Sequence, residues 1–133
     1  YKGNAAAVCI FEMSDGSVFC YGGSWCAEGA PTSWESAWRV NGSKGTAIWD
    51  GTHVPYAEIV DEEKEAGFLN QYKRVNPSMT WQGREGHEGC LDEMFDALIQ
   101  GRKAETDCSD NINSMAMVFG ALESAKTGRK INL

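Results

Sequence analysis

The segment that most restricts the fold lies at residues 5–26, AAAVCIFEMSDGSVFCYGGSWC. Asp15-Gly16 stands between two apolar runs, and a tight turn with positive φ at both central positions favours that dipeptide. Strands are therefore predicted over 5–13 and 17–26. With Asp15-Gly16 as the loop, Ser14 faces Ser17, Phe11 faces Cys20 and Ile10 faces Tyr21. One face then carries Cys9, Phe11, Met13, Val18 and Cys20, and the other Val8, Ile10, Phe19, Tyr21 and Trp25. Both faces are apolar. A hairpin with one wet face would alternate apolar with polar residues, so each side calls for a cover. Helices can supply one; a second domain or a second subunit must supply the other.

The rest of the chain reads as more antiparallel sheet, then helix. A loop follows over 27–34, with strands predicted over 35–41 and 46–50. Val54-Pro55-Tyr56 and Glu58-Ile59-Val60 suggest a broken or edge strand, because proline cannot donate to a ladder. Asp61-Glu62-Glu63-Lys64-Glu65 reads as a solvated turn, and Phe68 to Val75 as one more strand. Leu91, Met94, Phe95 and Leu98 recur at i, i+3, i+4, i+7, which predicts an amphipathic helix from about His87 to Gln100, stopped by Gly101. Ile112, Met115, Phe119 and Leu122 line a second helix, capped by Ser109 or Asp110 and stopped by Gly128. Gly-Arg-Lys follows both helices, where cations suit the negative end of the dipole. The expected class is α+β: a largely antiparallel open sheet with two C-terminal helices packed on one face, in a single domain spanning 1–133.

Charge and cysteine usage narrow the function. A net charge of −7 gives a surface that repels nucleic acid and anionic membranes. No apolar run approaches the ~20 residues needed to span a bilayer, and no secretory leader is evident. The five cysteines, Cys9, Cys20, Cys26, Cys90 and Cys108, lack CxxC spacing. They read as reduced thiols of a cytoplasmic protein, each a small buried hydrophobe and none a metal ligand. The chain begins at Tyr1 and enters a strand almost at once, so it reads as a piece of something longer.

Gly42-Ser43-Lys44-Gly45 invites a phosphate-loop reading. A phosphate cradle needs GxxxxGK[ST], or GxGxxG opening a helix. Here the next residues are Thr46-Ala47-Ile48-Trp49-Asp50, which are β-prone, so the stretch reads as a turn between strands.

Several segments together resemble one family. They are Asp15-Gly16-Ser17-Val18, Gly22-Gly23-Ser24-Trp25, Trp38-Arg39-Val40-Asn41-Gly42-Ser43-Lys44-Gly45-Thr46, and Ala121-Leu122-Glu123-Ser124-Ala125-Lys126-Thr127-Gly128-Arg129-Lys130. In order and spacing they resemble the C-terminal domain of the glucose–fructose oxidoreductase / inositol dehydrogenase (Gfo/Idh/MocA) family. The resemblance implies an N-terminal Rossmann domain that binds NAD or NADP. It also implies a C-terminal α+β domain that shapes a substrate pocket and builds a homo-oligomer through its sheet. The family's GxGxxG, Glu-Lys-Pro, catalytic lysine and Asp/His pair find no match in these residues. A hydride-transfer parent acting on a sugar, polyol or related carbonyl compound is implied, with this chain catalytically silent by itself. A stand-alone dimerising or ligand-binding module is the alternative.

Four residues are candidates for a substrate pocket. Trp25 ends a strand and Trp34 lies in a loop. Indole faces pack on sugar C–H faces, and indole N–H donates to hydroxyls. Arg39 stands with them. His87 opens the first helix, between Glu85 and Glu88, where an imidazole could face a pocket. His53, in a Gly-Thr-His-Val turn, is the weaker histidine. Asp92, Glu93 and Asp96 read as the wet face of the first helix.

Overall fold

The computed structural model describes residues 3–65, 67–78 and 80–133. Six strands precede two helices: β1 (Ala6–Glu12), β2 (Val18–Ser24), β3 (Trp38–Gly42), β4 (Gly45–Trp49), β5 (Tyr56–Val60), β6 (Tyr72–Val75), α1 (Gly86–Gln100) and α2 (Cys108–Thr127). The strands form two sheets, the hairpin β1-β2 and an antiparallel meander β3-β4-β5-β6. The class is therefore α+β, with antiparallel open sheets followed by two C-terminal helices. The chain divides into two compact units, Tyr1–Ala7 with Gly23–Thr80 and Val8–Gly22 with Trp81–Leu133.

The hairpin forms, but with a three-residue loop. Met13 N–H donates to Ser17 O at 2.9 Å, and Gly16 N–H donates to Met13 O at 3.0 Å. Gly16 takes φ 85, the left-handed residue of a turn-plus-bulge connection. Asp15 selects this loop: its Oδ1 accepts from Ser17 N at 2.9 Å and Ser17 Oγ at 2.7 Å. The register shifts by one residue from the two-residue-loop expectation, and the shift holds to the far end, where Trp25 N–H donates to Ala5 O at 2.8 Å. A one-residue slip moves one strand's side chains to the opposite face. Phe11 thus shares a face with Phe19, their rings stacked 5.9 Å apart, and Cys9 and Tyr21 join them. Val8, Ile10, Val18 and Cys20 form the other face, where Val8 is 87% and Ile10 71% exposed.

The four-stranded sheet lies in the first unit. Trp38 pairs with Trp49, Arg39 with Ile48 and Asn41 with Thr46 across β3 and β4. Ser43-Lys44 closes that hairpin with Gly42 opposite Gly45, so GSKG is turn chemistry. β5 is an inner strand and not an edge, because Pro55 falls just before it and all of Tyr56–Val60 is free to donate. Phe68 and Leu69 lie outside β6 and are exposed. Asp61 is not a solvated turn residue: its side chain is 11% exposed, Oδ1 accepts from Glu63 N at 3.3 Å, and Lys73 Nζ lies 3.6 Å away.

In the second unit the helix boundaries follow sequence chemistry. Gly101 (φ 66) and Gly128 (φ 66) close the helices in the left-handed region. Asp107, not Ser109 or Asp110, caps α2, because its Oδ1 accepts from the N–H of both Ser109 (2.7 Å) and Asp110 (3.3 Å). Arg102 does not serve the helix dipole alone: its guanidinium forks onto Glu93 at 2.6 and 2.8 Å. Asp92 likewise pairs with Arg84, and Lys130 pairs with Glu12. Among the described residues only Ala97, on α1, is buried. The cysteines are free as expected but not buried: Cys9 is half-buried and the other four are exposed. Small apolar side chains find no interior where the hairpin and both helices leave apolar residues exposed.

Candidate functional site

The loop 25–38 and the turn 50–53 meet at one end of the four-stranded sheet, within the first unit. Gly51 makes the contact. It holds φ 80, and a β-carbon there would overlap Ser33 Oγ and lie 2.5 Å from Ser36 O. Ser36 takes φ 67, the one non-glycine residue in the left-handed region among those described. Such a conformation costs about 1–2 kcal/mol and persists only where neighbours enforce it. Ser33 Oγ is buried against this turn with no hydrogen-bond partner.

Four tryptophans lie in or next to these segments and divide into two pairs. Trp38 and Trp49 are cross-strand partners. Their indole N–H groups hold loops, Trp38 donating to Glu35 O at 2.7 Å and Trp49 to His53 O at 2.9 Å. Trp25 and Trp34 lie 5.7 Å apart with rings inclined at 57°. Trp34 is 86% exposed, and neither indole N–H of this second pair has a hydrogen-bond partner among the described residues. The structure thus brings together two of the four candidates named from sequence.

The other two candidates lie on β3 and on α1. Arg39 is on β3 opposite Ile48, on the sheet face away from Trp38, exposed and without an ion-pair partner among the described residues. That face carries Asn41, whose Oδ1 accepts from Thr46 Oγ1 at 3.0 Å, and Arg74, stacked 3.6 Å over the Tyr56 ring. His87 is the second residue of α1, in the other unit, and is exposed. Its neighbour Arg84 is the one tied down, through Asp92 and Glu88.

Sequence reasoning passed over Asp50 and ranked His53 below His87. Asp50 Oδ1 accepts from Thr52 N at 2.9 Å and His53 N at 2.8 Å, while Oδ2 lies 2.7 Å from His53 Nδ1. These bonds, led by the His53 side chain, hold the Asp50 carboxyl well below the usual carboxylate range. The signal was present: aspartate followed by glycine, threonine and histidine is the pattern of a side-chain-closed turn.

No described residues fit a nicotinamide dinucleotide. Pyrophosphate sites use a glycine-rich turn leading into a helix N-terminus. The Gly42–Gly45 turn leads into a strand. Both helix N-termini carry carboxylates, Glu85 and Glu88 at α1 and the capping Asp107 with Asp110 at α2, and these would repel phosphate. No group of three or more metal-binding side chains occurs among the described residues, and no helix is long and apolar enough to cross a membrane.

The described residues thus make antiparallel sheets followed by two helices, an α+β arrangement. The chain belongs to the Gfo/Idh/MocA oxidoreductase family: the profile of that family's C-terminal alpha/beta domain matches residues 4–133. It is similar to uncharacterized protein y4oX of Sinorhizobium fredii (strain NBRC 101917 / NGR234), at 25% identity over 138 residues. That alignment covers 100% of this chain and 37% of the relative. No solved structure matches.

Proposed function

We propose that this chain is the substrate and oligomerisation domain of an NAD(P)-dependent oxidoreductase acting on a sugar, a polyol or a related carbonyl compound. Membership of the oxidoreductase family supports this most directly. The relative's greater length leaves room for a further domain. An N-terminal Rossmann domain would bind NAD or NADP, and a hydride would pass between the nicotinamide and a substrate carbon. Trp25, Trp34, Arg39 and His87 are the chain's contribution to substrate binding: two exposed indoles, an unpaired guanidinium and an exposed imidazole. The open hairpin face built by Val8, Ile10 and Val18 supports a homo-oligomer, because an apolar surface of this kind is seldom left bare.

Calorimetry tests the division of labour. Titrating the chain with NADH and NADPH should give no heat of binding. Micromolar binding to either nucleotide would overturn the assignment of the cofactor to another domain.

A further inference from the structure

We propose that Asp50 and His53 form, with Trp25 and Trp34, a binding subsite for a neutral polyhydroxylated ring, in which Nε2 of His53 accepts a hydrogen bond from a ligand hydroxyl. The chemical class of ligand rests on the functional reading above; the residues and their geometry do not.

Three observations lead to it. First, His53 is fixed far beyond the needs of its turn. Its N–H donates to Asp50 Oδ1 at 2.8 Å, its carbonyl accepts from Trp49 Nε1 at 2.9 Å, and its ring Nδ1 lies 2.7 Å from Asp50 Oδ2. Two backbone N–H donors to one carboxylate oxygen already close the turn. Committing the second oxygen to the ring orients the imidazole, although its side chain is 83% exposed. An ionised carboxylate only accepts, so the ring proton sits on Nδ1, and Nε2 of the neutral ring presents a lone pair. Nothing among the described residues takes it.

Second, the tryptophans of the two contacting segments differ in how they are used. Trp38 and Trp49 spend their N–H groups on Glu35 and His53. Trp25 and Trp34 keep theirs, and their inclined rings offer two apolar planes. A sugar ring needs that combination, C–H faces against aromatic planes with donors and acceptors around the rim. The free indole N–H groups supply donors and His53 Nε2 supplies an acceptor.

Third, the two loops are locked together. Gly51 packs against Ser33 and Ser36, which flank Trp34 on either side, and Ser36 holds a strained φ of 67. The left-handed Ser36 and the close approach at Gly51 fix Trp34's loop against His53's turn. Rigid support of this kind is what a binding group requires. The buried, unpartnered Ser33 Oγ lies in the same contact.

Nitrogen-15 NMR on the chain reads every partner at once. D-glucose, D-galactose and myo-inositol are added in turn. The five indole N–H signals and two imidazoles are assigned by single substitution. With at least one of these probes, the Trp25 and Trp34 indoles and His53 Nε2 should shift together and saturably. Trp38 and Trp49 should stay still. His53→Gln should weaken the response about fivefold or more, the scale of one lost hydrogen bond. Trp34→Ala should abolish it. Both residues are exposed, so neither change threatens folding. Indole shifts without any movement at His53 would remove the dyad from the subsite and leave the polyol reading intact. Silence at all three residues with every probe would overturn both.

Discussion

At the loop end of the four-stranded sheet, one carboxylate, Asp50, holds two backbone N–H groups and an imidazole, two indoles pin loops by their N–H groups, and a glycine lets two loops touch. On the hairpin, Val8, Ile10 and Val18 line up on one face and are exposed among the described residues. The helices share that condition: Leu98 on α1 and Phe119 on α2 are among their exposed apolar residues. Polar networks are local and close within one chain. Apolar faces need area, and area must come from somewhere. The loop end is closed by its own hydrogen bonds, while the hairpin face stays open among the described residues.

The largest expected effect breaks the self-sufficient side. Gly51→Val puts a branched side chain where Ser33 Oγ and Ser36 O already sit, at a φ of 80 that β-branched residues avoid. Overpacking together with the left-handed conformation should cost about 3 kcal/mol. Urea denaturation measures it, and a loss below about 0.5 kcal/mol would mean the two loops are not packed as described.

Next comes the uncovered side. Ile10→Lys should leave the monomer's stability and far-UV circular dichroism unchanged, because Ile10 is 71% exposed. It should weaken self-association by about thirtyfold, the equivalent of about 2 kcal/mol of lost apolar burial. Sedimentation measures this. A variant that unfolds, or one that associates as tightly as the parent, would place the contact surface elsewhere.

These two sides also differ in how far the sequence discloses them. Element order and both helix stops could be read from periodicity and glycine placement. The hairpin was legible, but its register was not: Asp15's two bonds to Ser17 favour a three-residue loop, and a dipeptide signal does not carry that choice. Pro55 misled for a similar reason, since one residue decides whether proline falls inside a strand or before it. The Trp25–Trp34 pair was recoverable from residue type. Asp50 and His53 were not weighed together, because their importance comes from a side-chain geometry that only the folded turn fixes. Arg39 and His87 were named by residue type alone, one on β3 and the other at the start of α1.

The smallest effect sharpens the comparison inside the second unit, where Glu93 ties α1 to the connection before α2. Its Oε1 accepts from Arg102 at 2.6 Å and from Glu105 N at 2.9 Å. The bonds to Arg102, then to the Glu105 amide, hold the Glu93 carboxyl down at about 2. Hydrogen bonds from Ser109 lower Asp107, the α2 cap, in the same direction. A group whose folded value lies below its unfolded one stabilises the fold above the unfolded value, and that contribution fades as pH falls through the folded one. The window for Glu93 runs from the ordinary 4.5 down to about 2. Helix content followed by circular dichroism should fall across that window, and Glu93→Gln should differ from the parent at pH 6 and converge with it near pH 2. The partners remain 41% and 30% exposed, so solvent screens the pair and the difference should be modest. Superimposable acid titrations of parent and variant would show that the fork contributes nothing in water, leaving the Asp107 cap and the glycine stops as the local interactions that define the two helices.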